Sequence, residues 1–128
     1  MKCLLAALIC LWQVAPNITW ADPIFENHSS ALPNHIYDGD WTHFVGGGVA
    51  VFDCNNDTLP DIFAAGGTNL AKLIINAGDF RFIDAALPPL TSVTGAYPID
   101  INADGHIDLF VMRAGANAIL RGHGNCIF

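Results

Sequence analysis

Short apolar runs, separated by polar and glycine-rich connectors, set the pattern of this chain. "VAVF" (49–52), "DIFAA" (61–65), "KLIIN" (72–76) and "FRF" (80–82) are too short for stable helices and rich in β-branched or aromatic residues, so each predicts a strand. The last two are expected to form a hairpin around Ala77-Gly78-Asp79. The same succession returns as "AYPI" (96–99), "DLFVM" (108–112), "AILR" (118–121) and "CIF" (126–128). Pro98 lies in the first of these, which a strand tolerates best at a sheet edge or a bulge.

The two sets superimpose as an internal repeat. Asp53, Asn55, Asp57 and Asp61 fall on Asp100, Asn102, Asp104 and Asp108 at a constant shift of 47, and Ile62-Phe63 falls on Leu109-Phe110. With small gaps, Gly78 falls on Gly124 and Phe82 on Phe128. A unit of roughly 45 to 50 residues made of short strands and glycine turns has the length of a propeller blade or a related β-repeat. The fold expected is therefore all-β, with about two four-stranded β-propeller-type blades at residues 45–90 and 91–128. Residues 22–44 hold two prolines and no periodic apolar face, which predicts a lead-in with few regular elements.

Between the first two strands of each copy lies an acidic loop, D-x-N-x-D-x-x-x-D. Oxygen-bearing side chains at its first, third, fifth and ninth positions repel one another unless a cation sits among them. A turn at this spacing lets the backbone carbonyl at position seven join them. Calcium, which takes six to eight oxygens in flexible geometry, fits this supply better than magnesium, which demands a strict octahedron. The candidate ligands are Asp53, Asn55, Asp57, the Leu59 carbonyl and Asp61, then Asp100, Asn102, Asp104, the His106 carbonyl and Asp108. An EF-hand is excluded, since its twelfth position needs a bidentate glutamate and Ala64 and Val111 stand there. Position six is Gly105 in the second loop but Thr58 in the first, so the first loop is strained if a positive φ is required. Asp and Asn also form ordinary turns; two copies in register are what favour the ion.

Charge and leader sharpen the picture. The chain carries twelve acids against five basic residues, a net charge of −7, which disfavours a nucleic-acid partner and suits a cation. Residues 1–21, with Lys2, an apolar run from Cys3 to Val14 and a Thr-Trp-Ala end, read as a secretory signal peptide too short to span a bilayer. The expected location is secreted or periplasmic/extracellular, with no membrane span after signal removal. Cleavage leaves Cys54 and Cys126, for which a mutual disulfide and separate fates stay equally open. No CxxC or HxxxH spacing supports zinc, and the scattered histidines read as polar loop residues. "NHS" at Asn27 and "NDT" at Asn56 match glycan acceptor sequons, which matter only in a eukaryotic secretory pathway.

The stretches "HFVGGGVAVFDCNNDTLPDIFAAGG" and "VTGAYPIDINADGHIDLFVMRAG" resemble the FG-GAP/VCBS repeats, and within them the cartilage-acidic-protein-like ASPIC/UnbV group, over about residues 35 to 128. The resemblance implies calcium-bearing blades of a larger propeller acting in extracellular protein or glycan binding or adhesion. Thr58 departs from the usual loop glycine. Two blades do not close a ring, so the chain is expected to be a fragment of a larger propeller, or a unit that joins further repeats or associates with itself. No catalytic constellation stands out, because the aspartates are equivalent members of repeated loops. The rival readings are part of a secreted hydrolase or lyase, and an inactive truncated piece of a receptor-like protein.

Overall fold

The computed structural model describes residues 22–128, so the leader reading at 1–21 falls outside it. Among the described residues no helix is long and apolar enough to cross a membrane. The lead-in contributes two single 3-10 turns, Ser29–Ala31 and Trp41–His43. Seven strands follow: β1 (Val49–Phe52), β2 (Asp61–Ala64), β3 (Lys72–Asn76), β4 (Phe82–Ala85), β5 (Val93–Ile99), β6 (Asp108–Arg113) and β7 (Ala118–Leu120). They form two antiparallel meanders, β1-β2-β3-β4 and β5-β6-β7. The all-β architecture is the one the apolar runs predict.

The registers repeat as closely as the sequence. Ala50 stands opposite Phe63 and Val51 opposite Ile62, while Tyr97 stands opposite Phe110 and Pro98 opposite Leu109. On the third strand Leu73 faces Phe63 as Ile119 faces Phe110. Pro98 sits on β5, which among the described residues lies at the edge of its sheet beside β6, so the missing N–H costs no ladder bond on an inner strand.

Two expectations need correction. "FRF" and "CIF" are not strands at residues 80–81 and 126–127, and the second sheet has three strands where four were expected. Three successive residues are left-handed in each copy, Gly78, Asp79 and Phe80 (φ 77°, 50° and 55°) and Gly124, Asn125 and Cys126 (φ 75°, 49° and 59°). Extended backbone cannot contain such a run. Matching bonds close both turns, Ala77 N to Arg81 O at 2.8 Å and His123 N to Ile127 O at 2.9 Å. β4 therefore begins only at Phe82, whose counterpart is Phe128, the last residue of the sequence. β5 also starts three residues earlier than expected, because Val93 is drawn fully into the core.

The core lies between the sheets. Phe63 and Leu73 from the first sheet and Leu109, Val111 and Val93 from the second are completely buried. Each such side chain contributes about 1.5–3 kcal/mol relative to exposure. At one end the two backbones nearly touch: Gly48 N donates to Thr94 O at 2.8 Å, and a Cβ on Gly48 would lie 2.9 Å from Gly95 Cα. Glycine is required there by space. The lead-in is tied on by Asp38, whose N–H donates to Gly66 O and whose carbonyl accepts from Thr68 N.

Candidate metal-binding loops

Both acidic loops leave the first strand of their sheet and return as the second, and their side chains fold inward onto their own backbone. Asp53 accepts from Asp57 N at 3.2 Å and from Thr58 N at 2.8 Å; Asp100 accepts from Asp104 N at 3.2 Å and Gly105 N at 2.9 Å. Asn55 Oδ1 and Asn102 Oδ1 take the same Asp57 and Asp104 N–H groups at 3.1 and 3.2 Å. Two oxygens thus converge on one N–H in each loop. The fifth-position carboxylates accept from Leu59 N and His106 N at 2.8 and 2.9 Å, and from the neighbouring Asn55 and Asn102 amides at 2.8 and 2.7 Å. Among the described residues no hydrogen bond ends on the Leu59 or His106 carbonyl.

These donors fix charge. Burial alone would raise Asp53, but four backbone N–H groups, those of Thr58, Asp57, Asn56 and Asn55, outweigh it and hold the carboxyl below its ordinary range. Asp104 is lowered chiefly by the His106 N–H and then by the Asn102 amide. Both are carboxylates at neutral pH, the state a hard cation needs.

The ninth-position residues take a different place. Asp61 and Asp108 are buried at the base of the loops. Asp61 accepts from Cys54 N at 3.0 Å and Asn76 N at 2.9 Å; Asp108 accepts from Ile101 N at 3.0 Å and Gly122 N at 2.7 Å. Each carboxylate pins its own loop to the segment closing the third strand. Four lone-pair sites per carboxylate leave capacity beyond these two bonds. The three carboxylates of neither loop gather into a cluster tight enough to share one ion. The side chains that do gather so closely among the described residues are Cys54, Asp61 and Cys126.

Two such loops lie in one β-repeat. Residues 53–111 match the FG-GAP-like repeat family. The matched segment runs from the first ligand candidate, Asp53, through the whole second loop to Val111 in β6. No curated protein and no solved structure matches the chain.

The FG-GAP-like segment is closed by a link that spacing left open. Cys54 and Cys126 form a disulfide, joining the first acidic loop to the left-handed turn of the second copy. Cys126 N also donates to Cys54 O at 3.0 Å. The sulfurs lie 3.0 and 3.6 Å from Asp61 Oδ2; as disulfide sulfurs they carry no proton and no thiolate charge, so these are packing contacts and the trio is not a metal cage. A small polar pocket lined by Asp53, Asn56, Gly105, His106 and Cys126 separates the two loops.

Position six of the FG-GAP-like loops is left-handed in both copies, Thr58 at φ 70° and Gly105 at φ 85°. A β-branched residue there costs about 1–2 kcal/mol, against up to about 1 kcal/mol of added chain entropy for glycine. Thr58→Gly is therefore expected to stabilise the protein by about 0.5–1 kcal/mol, read as a higher urea midpoint with an unchanged slope. Thr58 was legible as a departure; the sharing of each ninth-position carboxylate with Asn76 or Gly122 was not, since those residues are distant in sequence.

Proposed function

We propose that this FG-GAP-like chain is an exported, non-catalytic calcium-binding module of β-propeller type, akin to the ASPIC/UnbV group, which presents its loops to an extracellular protein or glycan. The observation that carries the reading is the duplicated loop, whose oxygens at positions one, three and five turn inward through matching bonds in both copies. Asp53, Asn55, Asp57 and the Leu59 carbonyl would hold one ion, and Asp100, Asn102, Asp104 and the His106 carbonyl the other. Asp61 and Asp108 would support each site from below and lend a remaining lone pair. The ion would supply positive charge to a cluster that otherwise repels itself, so binding energy becomes folding energy. Absence of a catalytic role is supported by the equivalence of the aspartates: Asp53 and Asp104, from different loops, are both held below the ordinary carboxylate range, not pushed apart as an acid and base pair would be.

A thermal melt tests this. Calcium at about a hundred times the Kd of the tighter, second-loop site should raise stability by about 2.7 kcal/mol through that site, a Tm increase on the order of 10 °C over chelated protein. Asp104→Ala should remove most of the rise, and an unchanged melt with calcium would end the reading. The sign of the pH effect follows from the depressed carboxyls. Their contribution is complete above the unfolded carboxylate value of about 3.9 and is lost as pH falls through the lower folded values, so the calcium-induced rise should be present at about pH 7 and be lost only as the medium becomes more acidic than that unfolded value.

A further inference from the structure

Spacing along the chain offers zinc no ligand set, yet the fold assembles one. Cys54 stands in the first acidic loop, Cys126 in the left-handed turn of the second copy, and Asp61 at the start of β2; one ligand atom from each lies within 4.8 Å of the other two. All three residues are buried. The carboxylate is already oriented: Asp61 Oδ1 accepts from Asn76 N at 2.9 Å and Oδ2 from Cys54 N at 3.0 Å, and Oδ2 faces both sulfurs. Hydrogen bonds of this kind hold a ligating carboxylate in place around a metal. Joined as a disulfide, the two sulfurs take no ion. Cysteines enter a new chain as thiols, however, and in that state both sulfurs are free to ligate.

We infer that the dithiol form of this chain binds one zinc ion through Cys54, Cys126 and Asp61, and that zinc and the disulfide are alternative ways of closing the same junction. Each thiol releases its proton to solvent as its sulfur binds, so the ion is met by two thiolates and one carboxylate. Thiolate sulfur selects a borderline-soft ion such as zinc over calcium, which keeps to oxygen ligands. Three protein ligands leave one tetrahedral position open, and the polar pocket lined by Asp53, His106 and Cys126 supplies it with a water and an entry path. The bound ion joins the first loop to the turn of the second copy, as the disulfide does, and so holds the two copies together before that bond forms. Closure then passes two electrons from the thiolates to a disulfide oxidant, which takes up two protons to become two thiols, and Zn2+ is released. None of this depends on the acidic loops binding calcium.

Cobalt, a coloured stand-in for zinc, tests this on the full chain reduced by a phosphine, which takes the oxygen of one water as the disulfide becomes two thiols. The reduced chain should bind one cobalt ion with a sulfur-to-cobalt charge-transfer band, and zinc should bleach that band one for one. Both cysteines should resist alkylation while zinc is bound. The unreduced chain should show no band. Asp61→Asn, which keeps the side-chain shape and removes the charge, should weaken uptake at least about tenfold, the smallest loss expected even of an outer-shell partner. Cys126→Ser should lose the two-sulfur spectrum, with circular dichroism recorded for each variant. A reduced parent chain without the band, folded or not, overturns the inference. Equal cobalt affinity in Asp61→Asn, or in the urea-unfolded parent, overturns it as well, since either would put the ion on two sulfurs without the assembled site.

Discussion

Asp108→Ala is expected to destabilise the protein by about 3–5 kcal/mol even in chelator, because the carboxylate is a structural tie before it is a ligand candidate. Asp108 is 2% exposed and accepts from Ile101 N and Gly122 N, groups on opposite sides of β6. A charge-assisted bond of this kind contributes about 1.5–3 kcal/mol, and its loss leaves the buried Gly122 N–H without a partner. Chelated urea denaturation of the variant separates two roles. A purely metal-binding aspartate would leave the chelated protein unchanged, whereas a tie lowers it with or without the ion. Asp61, at 0% exposure and bonded to Cys54 N and Asn76 N, should behave alike.

Removing the disulfide should have an effect of similar size. Cys54 and Cys126 are separated by 72 residues, so the crosslink holds together the ends of a long loop in the unfolded chain and stabilises the fold by about 4 kcal/mol on the loop-entropy relation. Both sulfurs are also buried against Asp61 and the shared core. The Cys54→Ala/Cys126→Ala double variant should therefore lose about 3–5 kcal/mol in chemical denaturation. Unreduced peptide mapping should find the two cysteine peptides joined. Equal stability of parent and double variant would contradict the bridge's role.

Much of the fold was legible because its signals are local. β1 and β3 fall on "VAVF" and "KLIIN" to the residue, since short β-branched runs bounded by glycine and acidic turns leave few alternatives. The acidic loops could be placed in register because carboxylate spacing is written directly in the chain. What escaped depends on contacts between distant residues or on backbone hand. "FRF" looks like a strand by composition, yet the left-handed run through Phe80 delays β4 to Phe82. Nothing local marks Gly48, in the glycine run ahead of β1, as fixed by its approach to Gly95 across the inter-sheet junction. Nothing local marks Cys126 as the partner of Cys54, and nothing marks Gly122 as the donor to Asp108. Both pairings exist because the repeat folds back on itself.

The ion reading ties these elements to a role. Where the left-handed position six is glycine, the second loop meets the geometric demand without strain; where it is Thr58, the first loop meets it at a cost and is held in addition by the disulfide at its second residue. The second loop is therefore expected to bind the more tightly of the two.

The most direct measurement is calorimetric titration of the chelator-stripped chain with calcium. The account predicts two ions bound per chain, falling to one in Asp104→Ala. Absence of binding heat through the millimolar range, with the parent and Asp104→Ala indistinguishable, would contradict it.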